Sequence, residues 1–322
     1  MAAPGRAGGL VIGADGISAT LLRLTSSDSH HPELTRQFVK LCDLPDFDDP
    51  RLRAMLRDIT PGHDPHAELH RKFWEYAMLG MYLEDVGALR DDARVLAVAA
   101  GHEEPLFWLA NRVERVVATD IYGDGGFAVP GREADASMLT DPGSFAPYPY
   151  REDHLEVRHM NALDLQFDDD SFDVTFSLSS IEHFGSPANF RQAASEMARV
   201  TRPGGHVVIV TEVLLGRKLL DEPLVNYAIK LATGGRLAST ARIDKRAQDA
   251  FTPAELQRDI VAPVGAPLVQ PMDMNLAPAT YDNRIAWAAD GTLTPRSGDP
   301  YPHIVLQAHG SPWTSAFLAF QV

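Results

Sequence analysis

Between Arg94 and Glu212, strand-length β-branched runs alternate with helical patterns, and this rhythm limits the fold more than any other feature of the chain. The runs are RVLAVA, RVVATD, LEVRHM, FDVTFSL and HVVIVTEV. They are short and largely continuous in apolar residues, as strands buried on both faces must be. PLFWLANRV and PANFRQAASEMARV lie between them with apolar residues at helical spacing, and RPGGH turns the second of these into the next strand. Strands joined by crossover helices predict a parallel sheet covered on both faces. The final PHIVLQAHGSPWTSAFLAFQV reads as two strands joined by HGSPW, an antiparallel hairpin.

The flanks keep a different rhythm. Residues 1–90 read as a helical block or cap, with Asp64 and Pro65 starting the helix of AELHRKFWEYAMLGMYLEDVGAL. Residues 91–213 form the expected core. Residues 214–300 read as an insertion over it, with a capping box at Thr252 and Glu255, and residues 301–322 as the hairpin that completes the sheet.

Composition excludes several classes of function. The formal net charge of −15 and the lack of a clustered basic patch argue against nucleic acid as a partner. The longest apolar runs are strand-sized, so no membrane span is expected. GGLVIGADGISATLL is interrupted by Asp15 and follows no strongly basic start, which argues against a secretory segment. A single cysteine, Cys42, allows no internal disulfide and fits a reducing compartment, so a cytoplasmic location is expected.

The loop after the first strand of the core, AVAAGHEEP, sits where a phosphate-cradling loop would sit, yet it holds one glycine and two acids. Bare N–H groups at a helix entrance suit a pyrophosphate. Glu103 and Glu104 would repel one and attract a cation. The same acids also cap the helix by complementing its dipole.

Three segments, RVLAVAAGHEEPLFWLANRVERVVATDIYG, MNALDLQFDDDSFDVTFSLSSIEHFG and EMARVTRPGGHVVIVTE, resemble the successive motifs of the class I S-adenosylmethionine-dependent methyltransferases, small-molecule type. The resemblance covers about residues 94–212. It implies a Rossmann-like, doubly wound, seven-stranded sheet ending in an antiparallel hairpin, with S-adenosyl-L-methionine as cofactor. That cofactor carries no phosphate, but a sulfonium and an ammonium, which the acid-rich loop would suit. Carried over by position, Ala99 and Gly101 form the turn beside its methionine part, and Asp120 accepts hydrogen bonds from the ribose diol. Ile121 packs on adenine, while Asn161 and the backbone of Ala162 and Leu163 meet its edge. The family's acid in the first strand is replaced by Ala97, and two of its glycines by Ala99 and Ala100. Glu103 then becomes the candidate for the cofactor's ammonium.

Methyl transfer to an alcohol needs a proton acceptor as well as alignment and exclusion of water. SLSSIEHFG ends the fourth strand where the acceptor should lie. His183 is the candidate base, because imidazoles titrate near neutrality. Glu182 orients it or binds substrate, and alternatively the pair caps the following helix. Ser177 and Ser179 are expected to line the site. Trp74 or Tyr76 could cover the sulfonium by cation–π contact, or could belong to a core stripe. His63, His66 and His70 lie close together, but no further ligand set accompanies them and no metal is expected. The expected reaction is O-methylation of a sugar or secondary-metabolite hydroxyl, with N- and C-methylation left open and a homodimer admissible. The alternatives are a non-catalytic cofactor-binding homologue or subunit, and a nicotinamide oxidoreductase, for which YAIK is one residue short of the Tyr-x-x-x-Lys pair.

Overall fold

The computed structural model describes residues 34–215, 232, 249–287, 293–295, 302–308 and 311–322. The five runs named above become β2 (Arg94–Val98), β3 (Arg115–Asp120), β4 (Leu155–His159), β5 (Phe172–Leu178) and β6 (Thr201–Leu214), all parallel, in the order β4-β3-β2-β5-β6. Chain order reverses between β2 and β5. The ends of these two strands therefore send their loops apart and leave a crevice.

The C-terminal hairpin is present as β9 (Val305–Ala308) and β10 (Ser311–Gln321). β10 lies antiparallel against β6 from Trp313↔Leu214 to Gln321↔His206. The sheet is wider than the seven strands expected. β7 (Arg284–Trp287) and β8 (Leu293–Pro295) continue it beyond β9, and β1 (Lys40–Leu41) pairs with β10, which makes ten. The added strands have a physical reason. β10 is 11 residues long and β9 covers only its first turn, so Phe317 and Ala316 are left to pair with β1.

α1 (Pro50–Ile59) buries Leu52, Met55, Leu56 and Ile59, one stripe at helical spacing, with Asp49 capping its first turn. It packs on α2 (Arg71–Asp85), where a Cβ on Gly80 would come within 2.6 Å of Met55 Sδ. α2 starts later than Asp64–Pro65 predict. Asp64 instead accepts from the His66 N–H in a turn, and His70 becomes the cap by accepting from the Lys72 N–H at 3.0 Å. α2 is then fastened to the sheet by Trp74 against Phe317 and by Tyr82, whose hydroxyl meets His206 at 2.8 Å. α3 (Glu104–Ala110) follows β2 and α4 (Pro187–Val200) precedes β6. Right-handed crossovers running in opposite directions from the reversal point put these two on opposite faces.

Residues 249–287 pack alongside this body. The capping box at Thr252 and Glu255 is present, and Asp259 pairs with Arg191 of α4 at 2.6 Å. The Val269 N–H donates to Ala319 of β10, and Asp273 exchanges backbone bonds with Val39 and Leu41. The YAIK segment lies outside the described residues. Among the described residues, no helix is long and apolar enough to cross a membrane, and no group of three or more His, Cys, Asp or Glu side chains is arranged to hold a metal ion.

Candidate functional site

Both strands at the reversal point end on a non-glycine residue in left-handed backbone. Ala99 follows β2 at φ +51° and Ser179 follows β5 at φ +48°. Each costs on the order of 1 kcal/mol, a strain that persists where the surroundings impose it. The two ends are tied together by the Ser180 hydroxyl, which donates to the Ala99 carbonyl at 3.0 Å. Beyond Ala99 the chain turns through Gly101 at φ +53°, where an added Cβ would lie 2.9 Å from the Glu133 carbonyl. Only glycine fits that turn.

The crevice is a cavity of about 560 Å³. Ala99, Gly101 and Glu103 form its β2 wall. Asp120, Ile121, Met160, Asn161, Ala162 and Leu163 form the β3–β4 wall, and Ser179, Ser180, His183 and Phe184 the β5 wall. Asp120 closes β3 and uses both oxygens on backbone: Oδ2 accepts from the Gly101 N–H at 2.9 Å and Oδ1 from the Ile121 N–H at 2.7 Å. These bonds fix the carboxylate's plane and leave lone pairs toward the cavity. Burial raises its pKa despite them. Asn161 caps its own turn, its side-chain oxygen accepting from the Leu163 N–H at 2.9 Å. That bond commits the Leu163 N–H, so the amide group of Asn161 and the Ala162 backbone are what this corner has left to meet an adenine edge.

The remaining wall comes from the start of α2. Arg71 donates to Glu75 Oε1 at 3.1 Å, Ser315 Oγ at 3.0 Å and Ser179 Oγ at 3.3 Å, and pairs with Glu212 Oε1 at 2.5 Å. Its guanidinium also lies over the Trp313 ring at 5.0 Å. Lys72 donates to the Leu178 carbonyl at 2.9 Å and pairs with Glu103. Burial pushes the carboxyls of Glu103, Glu182 and Glu212 each up to about 7. His70 also lines the cavity and stacks on His303 at 4.0 Å. Burial holds these imidazoles down at about 3 and about 4, so both are neutral near pH 7.

Several expected site residues lie elsewhere. Trp74 is fully buried, its indole N–H donating to Asp46 at 2.8 Å, and it does not line the cavity. The core stripe won, because its neighbours on α2 face the sheet. Ser177 sits inside β5, 1% exposed, whereas Ser179 lies just past the strand's end at Leu178, in left-handed backbone, and lines the cavity. Glu182 is 2% exposed behind the wall and accepts from the Thr211 hydroxyl at 2.8 Å. His183 does line the cavity, with Nδ1 3.5 Å from Asp249 and its ring 5.2 Å from that of Phe127. Tyr76 is buried beneath Lys72, whose Nζ lies 5.7 Å from its ring centre. Among the described residues, none from 214–300 lines the cavity. Residues 121–134 supply Ile121, Asp124, Phe127, Glu133 and Ala134 to the lining, with Phe127 standing 42% exposed.

Arg71, Lys72, Glu75 and Glu212 were not singled out by sequence, and His70 was considered only as part of a histidine cluster with His63 and His66. The available signals were Glu75 set between Trp74 and Tyr76, and Glu212 inside the apolar run HVVIVTEV. An acid in either place must find a cation.

The lining fits S-adenosylmethionine on chemical grounds. It carries the carboxylates of Glu103, Asp120, Asp124, Glu133 and Glu212 against two permanent cations, Arg71 and Lys72. Its chain turns through Gly101, and its β3–β4 wall carries the Asp120 carboxylate fixed by two backbone N–H groups. Comparison with known proteins agrees. The methyltransferase domain model matches residues 96–209. Methyltransferase GfsG of Streptomyces halstedii is 30% identical over 149 residues, 46% of each chain. The demethylmenaquinone methyltransferase of Clavibacter sepedonicus is 34% identical over 116 residues, 36% of this chain and 40% of that one. A solved SAM-dependent methyltransferase from Methanosarcina mazei is 16% identical over 73% of this chain and 94% of that one, at a TM-score of 0.39. The curated relatives are matched over only 22% to 46% of their own lengths. Residues 96–209 match the methyltransferase domain, and it is there that the chain is similar to S-adenosylmethionine-dependent methyltransferases.

Proposed function

We propose that the protein transfers the methyl group of S-adenosylmethionine to a hydroxyl of a small molecule bound beside His183. One observation carries this reading: Asp120, His183 and the β2 turn line the same cavity of about 560 Å³. When bound, the cofactor supplies the activated methyl group and the leaving thioether. Asp120 holds the ribose, Ile121 and Ala162 flank the base, and Gly101 lets the chain pass close to the tail. His183 takes the proton of the acceptor hydroxyl, and Phe127 and Phe184 exclude water around it. Glu182 does not meet the acceptor. It stands behind the wall and acts on the site only through Thr211 and the charge of Arg71.

A C-methylation reading is supported by the exposed apolar side chain of Phe127 on the cavity wall, which suits an apolar ring. Several relatives are named as demethylmenaquinone or ubiquinone/menaquinone methyltransferases. Isotope-labelled S-adenosylmethionine, incubated with the protein and a panel of hydroxylated sugars, polyketide-like alcohols and quinols, separates the two. Label on oxygen supports the first reading and label on ring carbon the second. No transfer to any class, with the cofactor bound, points to a non-catalytic homologue.

A further inference from the structure

Lys72 and Glu103 form an ion pair on the wall of the cavity, with side chains 24% and 16% exposed. Lys72 is held by the Leu178 carbonyl at 2.9 Å and stands 3.3 Å from Glu75 Oε2. That Glu75 oxygen is buried with no hydrogen bond, among the described residues. Glu103 sits at the mouth of the β2 turn, as the cap position of α3, yet its side chain makes no capping bond and is committed to Lys72. An ion pair in such a place is weakly stabilising at best, because two charges lose their water. A packed apolar pair would serve the fold as well.

The amino-acid tail of the proposed cofactor is a zwitterion, one carboxylate and one ammonium on the same carbon. We propose that this tail inserts into the Lys72–Glu103 pair, its carboxylate on Lys72 and its ammonium on Glu103. The inference rests on the cofactor reading given above. Each charge then exchanges one partner for another of the same sign, so no charge is left buried alone. Lys72 keeps its bond to the Leu178 carbonyl and Glu75 stays as its second counter-charge. Glu103, Glu75 and Asp120 are the acids that face this point, and Lys72 and Arg71 the cations. Lys72 is thereby a cofactor-specificity residue. It makes the site select donors that carry the carboxylate.

Calorimetric titration of the full chain with three ligands tests this. S-adenosylmethionine carries both tail charges, its decarboxylated form only the ammonium, and 5′-methylthioadenosine neither. A charge-assisted bond is worth about 1.5–3 kcal/mol, so the wild type should prefer the carboxylated donor by about tenfold or more. Lys72→Met should erase that preference to within about threefold while leaving 5′-methylthioadenosine affinity unchanged, which also shows that the variant is folded. Lys72→Arg should keep the preference, and Glu103→Gln should weaken both ammonium-bearing ligands alike. A preference that survives in Lys72→Met overturns the inference, as does tighter donor binding, which would make Lys72 a plug. Wild-type protein that binds none of the three overturns the cofactor reading itself. Protein that binds all three equally overturns only the role of Lys72.

Discussion

The wall that β2 and β3 contribute to the cavity is mainly backbone, whereas the wall contributed by α2 is charged side chain. On the first, Asp120 is locked by the N–H groups of Gly101 and Ile121, and the chain's path is set by left-handed turns at Ala99 and Gly101. On the second, Arg71 and Lys72 face Glu75, Glu103 and Glu212 through side-chain contacts only. Backbone geometry is rigid and indifferent to pH. A side-chain layer is adjustable and titrates, and its members depend on each other for burial. Changes at Arg71, the centre of the α2 layer, should therefore act mainly on stability, and changes on the β3 side mainly on affinity.

The largest effect should come from breaking the charged layer. Arg71→Met leaves Glu75 and Glu212 buried without their main cation, and thermal unfolding should show a loss of about 3–5 kcal/mol. Arg71→Lys should recover only part of it, since one ammonium cannot serve four acceptors. Asp120→Ala removes the diol acceptor and the anchor of two N–H groups at once. Affinity for S-adenosylhomocysteine, measured by calorimetry, should fall by about 100-fold or more. Global stability should move much less than in Arg71→Met, and an equal loss would erase the contrast between the walls.

At the acceptor end, His183→Ala should lower the turnover rate by about 100-fold and leave the dissociation constant of S-adenosylhomocysteine within about twofold. A turnover rate left intact would pass the proton transfer to another group. Glu182 sharpens the comparison through pH. Burial holds its carboxyl at about 7, above the usual 4.5, so the folded protein binds this proton more tightly than the unfolded chain. Its favourable contribution is complete below about 4.5 and is lost as the pH rises through about 7. Glu182→Gln, neutral throughout, should raise stability by about 2 kcal/mol at pH 8 and by little at pH 5. Equal melting curves for mutant and wild type at pH 8 would contradict this.

The difference between the walls also explains what could be read from sequence. The β2 turn, Asp120, Asn161 and His183 each follow a recognisable apolar strand, so their positions in the cavity follow from strand length and from the reversal of strand order. Gly101 announces itself as the lone glycine of its loop. The α2 layer has no such frame. Whether Arg71 reaches Ser315 depends on how a helix preceding the core docks on a strand some 240 residues later, a distance no local periodicity encodes. Trp74 misled for the same reason. Its aromatic character is plain, but the direction it points is set by Phe317 and Asp46. Ser177 against Ser179 was decided by where β5 ends, since Ser179 lies past Leu178 in left-handed backbone. The extra strands β7, β8 and β1 were hidden because they are short, and of these only β1 is recruited by the length of β10, while β7 and β8 continue the sheet from β9.

A crystal structure of the protein with S-adenosylhomocysteine tests the assignment of the cavity most directly. The expected result is a ribose with both hydroxyls on Asp120, adenine between Ile121 and Ala162, and the thioether sulfur aimed past Ser179 toward His183. A cavity left vacant at saturating ligand, or the nucleoside bound with its ribose away from Asp120, would contradict it.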